Sequence, residues 1–203
     1  MSDALFREKA PWIMRKLMDD FGLGVTEAAA ILGNLGHESG GFKFLQELKP
    51  MVPGSKGGWG WAQWTGPRRK AFEAYVKRNK LDPASDEANY AWLFLELKGK
   101  AIPKNPAGDE SAAIAAVKQP GTLRDKVIAF EAKFERAGVK HYDSRVKWAL
   151  VALEAFSDAA IPIPAPDIEP PPVAVPEPPE PTGFWAAMFR IFSALIRGLF
   201  HRS

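Results

Sequence analysis

A single glutamate stands at the end of a strongly apolar helical pattern, in the segment LGNLGHESGGF at residues 32–42. Ala28, Ile31 and Leu35 recur at helical spacing, and the same side of the helix next carries Glu38. Apolar neighbours and the negative end of a helix dipole both favour the neutral form of a carboxyl group. A carboxyl group that keeps its proton near neutral pH is suited to acid-catalysed cleavage of a glycosidic bond. We therefore predict Glu38 as a catalytic acid; the alternative is a glutamate that turns into solvent at a frayed helix end.

A second segment, GGWGWAQWTGPRR at residues 57–69, combines tryptophans with glycines. Tryptophan has a flat apolar face that suits stacking on sugar rings, and a glutamine amide offers a donor and an acceptor to hydroxyl or acetamido groups. We predict a carbohydrate-binding cleft with five substrate-binding residues, namely Trp59, Trp61, Gln63 and Trp64 of this segment and Asn34 of the preceding helix. The alternative is a tryptophan-rich corner of the core.

The basic run PRRK at residues 67–70 lies at the start of the next helix. The N-terminus of a helix favours anions rather than cations. We therefore expect these side chains either to bind an anionic ligand or to form a solvated basic face.

Helical periodicity dominates residues 1–160 and predicts seven helices, near 11–21, 26–38, 67–80, 86–98, 110–118, 122–137 and 143–157. The glycine-rich stretch 40–64 lacks this period, which predicts a loop with a short hairpin. The expected fold class is all-α with a very small β-hairpin.

The composition narrows the possible functions. The chain has 203 residues, 46% of them hydrophobic and 25% charged, which suffices for one folded domain with appendages. It has no cysteine, which excludes disulfides and thiol nucleophiles. His37 and His141 have no paired ligands at metal-site spacing, so we expect no metal and no other cofactor. The net charge of +3 without a nucleic-acid module predicts no nucleic-acid partner, and the N-terminal segment MSDALFREKAPW does not have the pattern of a secretory signal.

Two changes of composition divide the chain into a folded domain over 1–160, a linker over 161–182 and a tail over 183–203. The linker contains ten prolines and four acidic residues without a basic one, which is typical of an extended polyproline spacer. The tail is densely hydrophobic and contains three arginines.

The tail has the pattern of an amphipathic helix, because Arg190 and Arg197 share a narrow polar stripe opposite large apolar side chains. This pattern is typical of a helix that lies in a membrane interface. We predict contact with an anionic membrane, either the inner membrane or outer-membrane lipopolysaccharide, through Trp185, Phe189, Arg190, Phe192, Ile196, Arg197 and Leu199. A membrane-spanning helix and a partner-binding helix are the alternatives.

The segments ILGNLGHESGGF and GGWGWAQWTGPRRKAF together resemble the phage tail lysozyme domain family, within the wider lysozyme-like superfamily. The segment FEAKFERAGVKHYDSRVKWA is similar to the closing helix pair of that family, and the likeness spans residues 10–155. The resemblance implies a lysozyme-like domain that degrades peptidoglycan, with Glu38 as the catalytic acid and Gln63 in the sugar-binding cleft. Ala137 departs from the proline that this family often has there.

Hydrolysis by two carboxyl groups needs a partner for Glu38, about 6.5–9.5 Å away for inversion of the anomeric centre and nearer for retention. Glu47 is the only acid between the two motifs and is the first candidate. Glu131 and Asp143 are more distant alternatives. Some lysozyme-like enzymes use one glutamate as acid and then base, which gives an anhydro product by lytic transglycosylation, and the sequence leaves this choice open.

The predicted function is that of a phage endolysin-like peptidoglycan glycosidase, a muramidase that leads to host cell lysis. The alternatives are a lytic transglycosylase that uses the same Glu38, a non-catalytic wall-binding module anchored by its tail, and a bacterial wall-remodelling enzyme. We expect a monomer that is made in the host cytoplasm, associates with the membrane through its tail and acts on the wall in the periplasm.

Overall fold

The computed structural model describes residues 3–47, 50, 54–101 and 109–159. These residues form seven α-helices: α1 (Ala4–Phe21), α2 (Val25–Glu38), α3 (Gly66–Asn79), α4 (Asp86–Leu97), α5 (Ser111–Val117), α6 (Leu123–Phe130) and α7 (Tyr142–Asp158). Within those ranges β-structure is limited to isolated antiparallel bridges that join Trp59 to Gln46 and to Trp64. The all-α class is therefore confirmed, whereas in place of the predicted hairpin the described residues form only these isolated bridges. The predicted linker and tail lie outside the described residues, so the domain boundaries stay a prediction.

The bounds of α2, α3, α4, α5 and α7 agree with the sequence to within one residue. The first helix differs, because it begins at Ala4 and runs through Pro11 instead of beginning there. Proline removes one backbone donor from the helix. Phe6 and Ala10 are fully buried, and Arg7 pairs with Asp3 at 2.9 Å, so packing and an ion pair support the turns before the proline.

The predicted helix 122–137 is divided in the structure. It begins as expected with a capping box, in which Thr122 and Asp125 each accept a hydrogen bond from the other's backbone. After Phe130 the chain changes to a single π-helical stretch, Glu131–Glu135, which we call the π-turn. The backbone N–H of Arg136 then donates to the carbonyl of Glu131 at 2.8 Å and ends it. Such turns rotate the following side chains relative to a regular helix and are frequent at functional sites.

Helix α2 lies at the centre of the domain and packs against α1, α6 and α7. Its contact with α7 depends on Gly33. A Cβ atom added at Gly33 would lie 2.5 Å from the carbonyl oxygen of Arg145 and 2.6 Å from the Cβ atom of Ala149. The glycine therefore lets the backbones of α2 and α7 approach closely, and this approach places Arg145 beside the end of α2. None of the helices in the described ranges is long and apolar enough to cross a membrane.

Substitution Gly33→Ala is expected to lower the free energy of unfolding by about 2 kcal/mol. Overpacking against a backbone costs up to about 3 kcal/mol, and alanine recovers about 1 kcal/mol over glycine in a helix. Urea unfolding of the full chain measures the difference. Gly138→Ala is the control, because a Cβ atom there meets nothing within 4 Å, and its effect should stay within about 0.5 kcal/mol. A Gly33→Ala protein as stable as the control would contradict the close approach.

Candidate active site

Glu38 is the last residue of α2, and its side chain keeps 21% of its surface exposed. Arg145 of α7, which is 1% exposed, donates from Nη2 to Oε1 of Glu38 at 2.6 Å. The side chain of Glu38 is thus partly exposed to solvent, and its carboxyl group has a buried counter-charge. The sequence predicted apolar neighbours for Glu38, and the structure adds a buried cation that comes from a helix distant in the sequence.

Asn34 supports this ion pair from within α2. Its Oδ1 accepts a hydrogen bond from Nη1 of Arg145 at 3.0 Å, and its Nδ2 donates to the carbonyl oxygens of Ala30 and Val127 at 2.9 and 3.2 Å. Asn34 has no exposed surface. The predicted substrate contact is therefore corrected, because a side chain enclosed in the core reaches Glu38 through Arg145 and does not face a ligand.

Glu135, the last residue of the π-turn, is a second carboxyl group that interacts electrostatically with Glu38, and it was not predicted from the sequence. The residue as a whole is half-buried, but its Oε1 atom is enclosed and has no hydrogen-bond partner among the described residues. Burial raises the pKa of Glu135 well above its usual range, and the negative charge of Glu38 raises it further. Its charge would sit on the enclosed carboxyl group, so the burial of that group rather than of the whole residue decides its protonation.

Trp64 and Arg68 of the glycine-rich motif bind the buried carboxylate of Glu96, and Arg68 also contacts the residue before Glu135. Arg68 donates from Nε and Nη2 to the two carboxylate oxygens of Glu96, both at 2.7 Å, and Trp64 Nε1 donates to the same carboxylate at 2.7 Å. Arg68 also donates from Nη1 to the carbonyl oxygen of Phe134 at 3.2 Å, which ties α3 and α4 to the π-turn.

The two arginines of the basic run at residues 67–70 have partners within the protein, which corrects both interpretations for these two residues. Arg68 is engaged as described, and Arg69, which is 9% exposed, donates to the carbonyl oxygens of Lys56 and Gly57 at 2.6 and 2.9 Å. Its Nε donates to Glu73 at 2.9 Å. Arg69 therefore holds the glycine-rich loop against α3, and Arg68 joins α3 to α4 and the π-turn. The two arginines serve local folding rather than an anion site, whereas Lys70 is exposed.

The three tryptophans of the loop have different environments. Trp61 and Trp64 are each 1% exposed, and Trp61 packs against the rings of Trp12 and Phe42 with centroid distances of 6.1 and 4.9 Å. Their indole faces are covered by protein, so the predicted sugar contacts of these two residues are corrected in favour of the core corner. Trp59 is half-buried, with the guanidinium of Arg69 5.6 Å from its ring centroid, and its substrate contact stays a prediction.

Gln63 and Glu47 close the loop that contains these tryptophans. Gln63 Nε2 lies at hydrogen-bond distance from the carbonyl oxygens of Phe44 and Gly60, at 2.9 and 3.0 Å. Glu47 Oε2 accepts a hydrogen bond from the backbone N–H of Gly58 at 2.7 Å. Gln63 is half-buried, so its role in substrate binding stays a prediction. The contact of Glu47 is structural, which gives no support to its assignment as the second carboxylate.

The two more distant alternatives also have structural partners. Glu131 has no exposed surface and accepts hydrogen bonds from the Ala137 backbone at 2.8 Å and from Lys140 Nζ at 3.0 Å. Asp143 is highly exposed and pairs with Arg124 at 2.7 Å. Glu131 therefore stabilises the turn that follows Glu135, and Asp143 belongs to the surface of α7.

Neither Arg145 nor Glu135 was predicted from the sequence, but the sequence contained a signal for one of them. Arg145 shares helical spacing with the buried residues Ala149 and Ala152, which is the same signal that identified Glu38. Glu135 carried no such signal, because the π-turn displaces it from the position that a regular helix would predict.

The residue before Glu38 contributes an imidazole to the same region. His37 Nδ1 lies 2.9 Å from the hydroxyl oxygen of Ser144, and burial, with the charge of Arg145, lowers the pKa of His37 to about 4. His37 is therefore neutral near pH 7. The described ranges contain no group of three or more histidine, cysteine, aspartate or glutamate side chains placed to hold a metal ion.

Comparison with known families identifies the class of protein that this fold and site define. The chain matches the phage tail lysozyme family over residues 8–156, which is most of its length, and it belongs to that family. No curated protein and no solved structure gave a match. Membership of the family indicates a lysozyme-like, peptidoglycan-degrading function with peptidoglycan as the substrate.

Proposed function

We propose that this protein is a phage endolysin-like muramidase, which hydrolyses the glycan strands of bacterial peptidoglycan with Glu38 as the general acid. The observation that carries the proposal is the position of Glu38 at the half-open end of α2, 2.6 Å from a buried arginine, in a domain of the phage tail lysozyme family. An acid in this position reaches solvent, and hence a substrate, while its orientation is held by the core.

In this mechanism Glu38 gives its proton to the glycosidic oxygen as the bond to the anomeric carbon breaks. Arg145 holds the Glu38 carboxyl group in one orientation before the proton transfer and stabilises its charge afterwards. Asn34 in turn orients Arg145. Glu135, whose pKa is raised in part by the charge of Glu38, is our candidate for the second carboxyl group of a hydrolase.

Mass spectrometry of the products formed from purified peptidoglycan tests this function with the full chain. Fragments with new reducing ends of muramic acid are expected from a muramidase. Fragments with 1,6-anhydro ends would identify a lytic transglycosylase instead. Wall binding without any released fragment would contradict both activities and favour a non-catalytic binding module.

We further propose that the tail, residues 183–203, attaches the enzyme to an anionic membrane and that the proline-rich linker lets the domain reach the wall. This proposal is supported by the sequence pattern alone, in which Arg190 and Arg197 lie opposite a face of large apolar side chains. The protein would then be made in the host cytoplasm, act on the wall in the periplasm and lead to host lysis.

Deletion of residues 183–203 is expected to leave activity on isolated peptidoglycan unchanged and to remove co-sedimentation with anionic vesicles. The double substitution Arg190→Glu with Arg197→Glu should lower binding to anionic vesicles much more than to neutral ones, because it reverses the charge that attracts the lipid. Equal sedimentation of the intact chain, the deletion and the double variant would contradict membrane attachment by the tail. Extraction with alkaline carbonate then separates an interfacial helix, which is released, from a spanning one.

A further inference from the structure

A groove of about 560 Å³ lies beside the end of α2, where the loop that follows this helix meets α7. Its volume is within the usual range for ligand-binding sites. The loop contributes Gly40, Lys43 and Phe44 to the lining, and α7 contributes Ser144, Lys147 and Trp148. The groove thus combines two aromatic rings with two basic side chains.

The groove adjoins the candidate catalytic acid. Gly40 lies two residues after Glu38, and two residues of chain span at most about 7 Å. From α7, Ser144 is the residue before Arg145, whose Nη2 contacts Glu38 at 2.6 Å. The Ser144 hydroxyl oxygen also lies 2.9 Å from Nδ1 of His37, the residue before Glu38. A substrate held at Glu38 is therefore within reach of the groove without a change in the fold.

The protein holds both aromatic rings of the groove in place. Cβ atoms added at Gly36 and Gly41 would lie 3.0 and 2.5 Å from the indole of Trp148, so this ring packs directly on the backbone at the end of α2. Phe44 lies against Gly40, where an added Cβ atom would be 2.7 Å from its ring, and 53% of Phe44 stays exposed. An aromatic surface that is already fixed loses little freedom when a ligand binds, which favours binding.

The charged side chains that line the groove favour an anionic ligand. Lys43 and Lys147 are both exposed. The acidic residue in the lining, Asp3, pairs with Arg7 at 2.9 Å, so its charge is offset within the protein. Because two cations accompany an aromatic surface, a matching ligand carries negative charge together with apolar groups.

The bond that a muramidase cleaves identifies a ligand with these properties. It is the glycosidic bond of N-acetylmuramic acid, the sugar of peptidoglycan that carries the peptide stem through its lactyl group. A stem combines free carboxylates with the methyl groups of alanine, so it matches the lysines and the rings together. A neutral sugar would use the rings alone, and a phosphate polymer such as teichoic acid would use the lysines alone.

We propose that this groove binds the acidic peptide stem of the muramic acid whose bond Glu38 cleaves, so that the enzyme prefers glycan that carries peptides to bare glycan. Lys43 and Lys147 pair with carboxylates of the stem, and Phe44 and Trp148 contact its apolar groups. The proposal rests on the muramidase function proposed above for the identity of the bond, and on the lining of the groove for the chemistry of the ligand.

Binding to a protein that cannot cleave tests the groove without any need for activity. The full chain with Glu38→Gln is titrated with the peptidoglycan disaccharide that carries its tetrapeptide, and with the same disaccharide after an amidase has removed the peptide. Adding Lys43→Gln with Lys147→Gln should lower the affinity for the peptide-bearing probe about fivefold or more, because two ion pairs are lost. The affinity for the stripped probe should change less than about twofold, and added salt should reduce the difference.

Lys77→Gln with Lys100→Gln is the matched control, because it removes two exposed lysines that lie outside the lining of the groove. Its affinity for both probes should equal that of the parent chain. Phe44→Ala tests the apolar part of the site and should lower the affinity for the peptide-bearing probe about threefold or more. Thermal unfolding of these variants should match the parent, since the altered side chains are exposed.

Four results of the titrations would overturn the inference. The first is that the parent chain does not bind the peptide-bearing probe, and the second is that the groove variant binds it as tightly as the control. An equal loss of affinity for both probes would assign the groove to the sugar instead of the peptide. Competition by a teichoic acid but not by the free tetrapeptide would assign it to phosphate.

The kinetics of lysis separate a failure of this inference from a failure of the proposed function. In the active chain, Lys43→Gln with Lys147→Gln should raise KM for peptide-bearing glycan about fivefold and leave kcat within about twofold, because the lost contacts lie away from the reacting bond. The effect on stripped glycan strands should be smaller. An active enzyme with an unchanged KM would overturn the inference. A wild type without lysis would overturn the proposed function, and the titrations would then decide the role of the groove alone.

Discussion

Glu38→Gln is expected to lower the rate of peptidoglycan lysis by about 10²–10⁴-fold while the domain stays folded. Glutamine keeps the volume of the side chain and can still accept a hydrogen bond from Arg145, but it has no proton to give to the glycosidic oxygen. The rate of release of soluble fragments from purified peptidoglycan measures the effect, and thermal unfolding establishes that the fold is intact.

Glu8→Gln is a suitable control for this substitution, because Glu8 is exposed on α1 and its change should leave the rate unaltered. The loss of lysis in Glu38→Gln should be present at every pH, because the acid itself is missing. Lysis by Glu38→Gln above a few per cent of the wild-type rate, with matched unfolding, would show that another residue is the acid.

Arg145→Met is expected to lower the free energy of unfolding by about 3 kcal/mol at pH 7. The substitution removes the cation that contacts Glu38 and the donor that contacts Asn34, and breaking one side of a buried ion pair costs about 3–5 kcal/mol. The lower end of that range applies because Glu38 is 21% exposed and keeps some contact with water. Lysis should be lost as well, since the carboxyl group is no longer oriented.

A double-mutant cycle tests the physical reason for this loss. If an unpaired carboxylate causes most of the destabilisation, adding Glu38→Gln to Arg145→Met should recover part of the lost stability. Lys147→Met on the same helix is the control, because Lys147 is exposed and its effect should stay within about 0.5 kcal/mol. Equal stability losses in the single and double variants would show that Arg145 acts by packing rather than by charge.

The loop at residues 40–64 shows why the type of a residue does not decide its role. Trp59, Trp61 and Trp64 lie close together in a glycine-rich segment, and this pattern is compatible with a sugar-binding cleft and with a tryptophan-rich corner of the core. The structure buries Trp61 and Trp64 and leaves Trp59 half-buried. The cover of these indole rings depends on other elements of the fold, on Trp12 of α1 for Trp61 and on Phe72 of α3 for Trp64.

The sequence by itself determined the all-α class, the bounds of five helices and the position of Glu38. These features follow from helical periodicity and from caps such as Ser85 and Thr122, and both are interactions between residues a few positions apart. Local chemistry is therefore enough to predict them. The same reasoning misplaced the start of α1, because it could not foresee the burial of Phe6 and Ala10 before Pro11.

Only the tertiary structure decided what surrounds Glu38. Arg145 is more than 100 positions away, and its contact with Glu38 requires the close approach of α2 and α7 at Gly33. Glu135 reaches the same site because the π-turn displaces it from the position of a regular helix. Charge and protonation at a buried site depend on which groups meet there and on how far water is excluded. These are properties of the packed chain, and for that reason the sequence singled out Glu38 but not Arg145, which contacts it, or Glu135, which interacts with it electrostatically.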